Sequence, residues 1–464
     1  MSENESPLEL ADRALGHASG DAQVAVVHER SLLSRFARSA PSQATEVETM
    51  QVAFTCVRDG HVGSATTTST GDEGLRAAAS RATAAAAVAA ARGPAGAFPG
   101  LPAPMAAPRA HQGFDAHTAR LDPEEAGAAL SAAFAAARAE PGDLEAFGVW
   151  SAGAVRSAVA SSSGIRVQDA VTDVFMKVVC RDADGRAGFA SGAASATGQI
   201  DPAAIAERAA AKATALRAAD PLDLPPGAYP VVLEPEAVGL LLEFTALLAF
   251  NGEAYAEGRS ALEGRLGTRV AAPAINLSDS PRFARTLPRA FDAEGVAKNP
   301  MPLIQDGVAH GVCHDTRSAA RAGGLARSTG HAAEPGGSAW GPIPTNLVLI
   351  GGGAADEAEL CAPIERGIYV TRLWYVNVVH EKETLLTGMT RDGTFLIEDG
   401  KVTRPLRDVR FTDSALRILS ATEALTQSSR LVSEGEFYGV RRATGVVCPS
   451  LRAQGFRVTG ATAA

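Results

Sequence analysis

The chain has 464 residues, 46% of them hydrophobic and 20% charged, enough apolar material to bury a sizeable core in more than one domain. A formal net charge of -9 with no long Lys/Arg run argues against binding a nucleic-acid backbone, which depends on clustered cations. No stretch reaches the roughly 20 uninterrupted apolar residues of a membrane span, because the best candidate, Val238 to Phe250, is broken by Glu243.

The opening residues, MSENESPLEL, lack the basic and apolar regions of a secretory signal, so a cytoplasmic location is expected. Cys56, Cys180, Cys313, Cys361 and Cys448 lie far apart with no CxxC pair and read as free thiols of a reducing compartment.

In chain order, Gln51–Val57 and His61–Thr68 flank Arg58-Asp59-Gly60, a strong hairpin signal. Gly71-Asp72-Glu73 then opens an alanine-rich helix to Arg92, with Gly93 as its C′ residue. Residues 93–113, rich in Pro, Gly and Ala, read as a linker or long loop. A helix starting at Asp122-Pro123-Glu124-Glu125 follows and ends near Glu140-Pro141-Gly142.

Asp173–Cys180 and Arg186–Ser191 flank a second turn, Asp182-Ala183-Asp184-Gly185, and Asp201-Pro202 caps a helix over 202–218. Strand, turn, strand, helix therefore recurs, which predicts an internal repeat.

At Leu224-Pro225-Pro226-Gly227 the character changes, and a boundary there divides an N-terminal domain, 1–224, from a C-terminal domain, 225–464. The second opens with a strand at Tyr229–Leu233 and a buried helix at Glu236–Phe250. Short β-type runs at Asn346–Ile350, Ile368–Val379, Thr394–Ile397 and Phe456–Thr459 between Gly-rich turns predict an antiparallel, β-rich domain. The fold class expected is α+β: a hairpin sheet with Ala-rich helices, then the β-rich domain.

The segment from Val238 through Asn251-Gly252-Glu253, with Gly258–Gly267, Ala274–Pro281, Phe291–Gly295, Ile304–Gly307, Ser328–Ala332, Pro344–Leu347 and Gly367–Val370, resembles the TldD/PmbA family of metalloprotease-related proteins. Asp59-Gly60 and Gly63-Ser64-Ala65 extend the likeness into the N-terminal half. In zinc-bearing members the corresponding helix carries His-Glu-x-x-x-His. Here those positions hold Glu243, Phe244 and Leu248, and a leucine cannot ligate zinc.

The resemblance is therefore to the TldE-like branch, and it implies a non-metal subunit with no cofactor of its own. It would pair as a heterodimer with a TldD-like zinc-bearing partner in proteolysis or maturation of unfolded peptides. His314, Asp315, His331, Asn346 and Tyr375, polar or aromatic members of the C-terminal half, are candidates to line a peptide groove, and no catalytic or metal-binding residue is assigned. Two alternatives stay open: a stand-alone family member that modifies or matures a peptide natural product, and a non-catalytic scaffold or regulator.

Other constellations have simpler readings. In an extended segment His310 and His314 share one face and Cys313 the other, so they do not gather as ligands; a strand end with a buried cysteine and partly exposed imidazoles fits better. Cys448 lies near the region where zinc-bearing relatives place a thiolate, but without histidine partners it reads as a small buried hydrophobe. Gly351-Gly352-Gly353 reads as a turn, not a phosphate cradle, and Asp292 and Glu294 as turn and capping groups.

Overall fold

A computed structural model describes residues 5–93, 96–104, 107–433 and 441–461, so residues 94, 95, 105 and 106 of the expected loop lie outside it. The N-terminal part runs α1 (Pro7–Leu15), β1 (Asp21–Ala37), β2 (Ala40–Arg58), β3 (His61–Thr67), α2 (Asp72–Arg92), α3 (Pro123–Ala139), β4 (Glu145–Ser161), β5 (Arg166–Arg181), β6 (Ala187–Ala194) and α4 (Pro202–Ala215). Its strands form one antiparallel sheet in the order β3-β2-β1-β4-β5-β6.

The central pair is β1 with β4, and each half repeats hairpin, edge strand and packed helix, so the repeat legible in the sequence is a two-fold relation about that pair. Asp59 and Gly60 take the left-handed conformation, φ 49° and 71°, that a tight hairpin turn requires. Three residues past each turn glycine comes a second one. A Cβ on Gly63 would sit 2.2 Å from the Ala86 nitrogen of α2, and one on Gly188 would sit 2.1 Å from the Ala209 carbonyl oxygen of α4. Both alanine-rich helices thus lie directly on an edge-strand backbone.

Side chains alternate across this sheet as its pleat demands. Val24, Val26, Val52, Phe54 and Ala158 face α1 and α2, and Trp150, Val174, Met176 and Val178 face α3 and α4. Ala25, Val27, Ala53 and Val159 point the other way, toward the C-terminal part. Both faces are covered, which is why the small-residue strand β4 shows no alternation of polar and apolar residues and gives no clear strand signal.

The C-terminal part continues with β7 (Gly227–Leu233), α5 (Pro235–Ala249), α6 (Gly252–Ala256), β8 (Leu277–Asp279), β9 (Met301–Gln305), β10 (Val308–Ala309), α7 (Thr316–Ala322), β11 (Asn346–Leu349) and α8 (Glu357–Cys361). It ends with β12 (Arg366–His380), β13 (Leu385–Glu398), β14 (Lys401–Pro405), β15 (Val409–Ser414), α9 (Ala415–Ser420), β16 (Thr422–Leu425), β17 (Arg430–Val432), β18 (Gly445–Cys448) and β19 (Leu451–Ala461).

One sheet has the order β10-β9-β8-β11-β18-β17; the other, β12-β7-β19-β15-β13-β14, closes on itself through a β12–β13 pairing. β7–β12 and β11–β18 run parallel, which corrects the purely antiparallel expectation. Parallel neighbours are formed by strands distant in sequence, a pairing that local hairpin signals do not report.

Pro235 at the first turn and acidic Glu236 start α5, which packs on β12, β17, β18 and α9 and buries Leu241, Leu242 and Leu248. The predicted helix over 202–218 ends at Ala215. Gly93 is extended (φ -144°), not a left-handed cap. Among the described residues no helix is long and apolar enough to cross a membrane.

Candidate functional site

Two recesses of 430 Å³ each meet where the domains join. The first lies between the outer face of the N-terminal sheet and the loops that carry Arg289, Asp292, Lys298 and His331; the second runs along α5 past Glu243, Leu247 and Trp340. They share Ile343, Thr345 and Arg442, so they adjoin, and together they make up the candidate groove.

A buried polar network underlies the first recess. Asp279, at the end of β8, accepts from Lys298 Nζ at 3.0 Å, from His331 Nε2 at 2.8 Å and from the Asn346 backbone N–H at 2.6 Å. Burial alone would raise this carboxyl, but the neighbouring Lys298 and His331 hold it well below the ordinary carboxylate range. Burial and the Lys298 charge push His331 down, so its ring is neutral, with Nδ1 paired to Thr329 Oγ1 at 2.9 Å. Thr329 Oγ1 in turn accepts from the His314 N–H at 2.7 Å.

A loop of buried carboxyls adjoins it. Asp292 accepts from the N–H groups of Glu294, Val296 and Ala332, each at 2.9 Å, a turn-shaping role. Burial, reinforced by the Asp292 charge, raises the Glu294 carboxyl to about 8. Its Oε2 accepts from the Thr316 N–H at 3.0 Å, whereas Oε1 is buried without a partner among the described residues.

Of the five candidate groove residues, four come together here. His314, Asp315, His331 and Asn346 are all buried in or beside this network, but only His331 lines the recess. His314 pairs with Ser318 Oγ at 3.2 Å and is buried, unlike the partly exposed imidazole expected; Asp315 caps α7 through the Ser318 N–H at 2.7 Å. Tyr375 stands apart, 73% exposed on β12 beside Trp374.

Reasoning from the sequence missed Asp279, Lys298, Arg289 and Arg442. A signal existed for two of them: Asp279 lies in a family-like segment, and Lys298 is one of five lysines in a chain whose other basic residues are arginine. Arg289 and Arg442, far apart in sequence, had none.

The α5 positions do not suit zinc. Glu243 reaches the groove, but Phe244 packs against the core and Leu248 is buried in it, and among the described residues no three His, Cys, Asp or Glu side chains converge on a metal-sized site. Cys448 is buried beside the first turn of α5, its Sγ 3.3 Å from the Pro235 carbonyl oxygen. Burial pushes its thiol well above the ordinary value, which disfavours the thiolate.

Fold and site together define a two-part α+β protein with a recessed, charged groove at the junction of its domains. The chain belongs to the PmbA/TldD metallopeptidase family: models of the family's first, central and C-terminal domains match residues 22–86, 116–217 and 226–460. A metalloprotease of Methanothermobacter thermautotrophicus is 25% identical over 59% of this chain and 61% of its own length. A TldD homologue of Haemophilus influenzae, also named a metalloprotease, is 26% identical over 45% of this chain and 42% of its own. The match thus spans about three fifths and two fifths of these curated relatives. In fold, TldE from Thermococcus kodakarensis superposes with a TM-score of 0.83 over 97% of this chain and 99% of that one, at 20% identity.

Proposed function

We propose that this chain is the TldE-like, metal-free subunit of a heterodimeric TldD/TldE-type metallopeptidase of the cytoplasm. A TldD-like partner holds the zinc, and this chain closes the chamber and helps to hold an unfolded peptide. The observation that carries the reading is α5, which offers Glu243, Phe244 and Leu248 at the positions where zinc-bearing members carry His-Glu-x-x-x-His, so neither ligand position holds an imidazole.

A second feature supports the peptide-holding part. β3 covers β2 only from Val52 onward, so Ala40–Gln51 has β1 as its one strand partner among the described residues. Gln51 also lines the groove. A free strand edge there can add an extended peptide by main-chain hydrogen bonds, without a catalytic side chain.

The test is to purify the chain alone and together with a TldD-like partner, then measure zinc and cleavage of an unfolded peptide. The isolated chain is expected to be inactive with substoichiometric zinc, and the pair active with zinc in the partner. Stoichiometric zinc in the isolated chain would overturn the reading.

A further inference from the structure

The recess between the domains has an apolar wall and a cationic end. Val27, Ala53, Val155 and Val159 of the N-terminal sheet, with Phe291, make the wall. Opposite stand four cations, of which two are closed off: Lys298 by Asp279 at 3.0 Å and Arg441 by Asp173 at 2.6 Å.

The other two, Arg289 and Arg442, are not closed. Arg289 Nη2 donates to the Ala443 carbonyl at 2.8 Å and Arg442 Nη1 to that of Ala333 at 2.9 Å; neither guanidinium has a carboxylate partner among the described residues, and Arg289 Nε is buried with no acceptor. Burial and the charge of Arg442 lower Arg289 to about 10, so it is still cationic at neutral pH. The two charges repel, and the nearest carboxylates, Asp169 and Asp173 for Arg289 and Asp292 and Glu334 for Arg442, act on them only from a distance, so both guanidinium groups keep donors for an incoming anion.

Two of the three carboxylates in the same lining are otherwise engaged, and the third is open to solvent. Asp169 holds His111 at 2.8 Å and the Ala290 N–H at 2.8 Å, Asp292 holds its three backbone N–H groups, and Glu334 is exposed.

We propose that this recess binds a carboxylate carried on an apolar body, the free C-terminus of a hydrophobic peptide, with Arg289 and Arg442 clasping the carboxylate and the aliphatic wall receiving the last side chain. Planar guanidinium groups match a planar carboxylate in paired hydrogen bonds, and the wall favours an apolar residue over a hydrated inorganic anion. The choice of a peptide rests on the peptide-holding role proposed above; the anion site itself rests on the two arginines.

Calorimetric titration of the full chain, without any partner, tests it with three probes: acetyl-Leu-Val-Phe as the free acid, the same peptide as its amide, and acetyl-Leu-Asp-Phe amide, which carries its carboxylate on a side chain. The free acid is expected to bind at least about tenfold more tightly than either amide, the size of a lost charge-assisted hydrogen bond. Arg442→Gln, at an accessible side chain, and Arg289→Gln should each remove that preference, with the melting temperature of Arg442→Gln unchanged and Arg442→Lys restoring part of the affinity.

Equal binding of acid and amide, no binding of any probe, or a preference for the aspartate peptide would each overturn the assignment. Because no metal partner is present, a positive result stands even if the chain proves to have no zinc-bearing partner, and a negative one leaves the zinc and cleavage experiment to decide the subunit role separately.

Discussion

Glu294 shows how one buried side chain makes the whole chain sensitive to pH. A proton on it supplies a donor at a place where an ionised Oε1 has no partner, and burial with the nearby Asp292 charge favours that neutral form. Burial and the Asp292 charge push the native carboxyl well above its ordinary 4.5, and the pair with Asp292 titrates jointly. The folded chain therefore binds more protons than the unfolded one between the ordinary and the raised value. Its stability is fully present below about pH 4.5 as far as this group is concerned, and is lost as pH rises toward 8.

The melting temperature is accordingly expected to fall as pH rises from 5 to 8. Glu294→Gln, which stays neutral at every pH, should flatten that profile and be the more stable chain at pH 8. A parent profile already flat over this range would refute the account. The sequence showed Asp292 and Glu294 as turn residues; that one of them keeps its proton near neutrality depends on Thr316 and on the surrounding burial, which no local pattern reveals.

Among elements, the two hairpin units have the same construction, and the glycines at Gly63 and Gly188 make it possible. A side chain there would push the helix off the edge strand, since the atoms opposite are backbone and cannot turn aside. Gly188→Ala is expected to destabilise the chain by about 1–3 kcal/mol through overpacking, read as a lower thermal midpoint. Gly198→Ala, where a Cβ meets nothing within 4 Å, is the control and should leave the midpoint in place. If both variants melt alike, close helix–strand approach is not what these glycines serve.

The α4 cations also guard an edge. Lys212 Nζ donates to the Phe189 carbonyl at 3.1 Å and Arg208 Nη2 to that of Ser191 at 2.8 Å, which occupies outward-facing acceptors of β6 and blocks further strand addition there. The free stretch of β2 has no such cover from a helix cation among the hydrogen bonds described for Ala40–Gln51, which is the edge the peptide-holding proposal uses.

For the molecule as a whole, the join between the domains depends on Arg441. Its guanidinium pairs with Asp173 at 2.6 and 2.8 Å and donates to Ser151 Oγ at 2.9 Å, while its backbone N–H reaches Glu29 at 2.6 Å. Gly153 leaves the space it occupies, since a Cβ there would lie 2.1 Å from Arg441 Nε. Arg441→Ala strands the Asp173 carboxylate in a buried site, at a cost of about 3–5 kcal/mol. Hydrogen exchange should rise in β4, β5 and β18 together; exchange confined to the residues beside 441 would show that the contact is local and does not hold the domains.

Local patterns carried the elements with strong punctuation: the Asp59-Gly60 turn, the Asp122-Pro123 and Asp201-Pro202 helix starts, the apolar helix after Pro235 and the repeat that relates the two hairpins. The lack of imidazole on that helix is likewise a property of the sequence alone, as is the family likeness of the segments around it. Only the tertiary structure decided that β1 and β4 stand at the centre of one sheet, that β7 lies parallel to β12, and that Arg289 and Arg442 face a common recess while Tyr375 lies outside it. The reason is range: turns, caps and periodicity are set by neighbours a few residues apart, whereas the groove is assembled from side chains hundreds of residues apart that meet only once both sheets are packed.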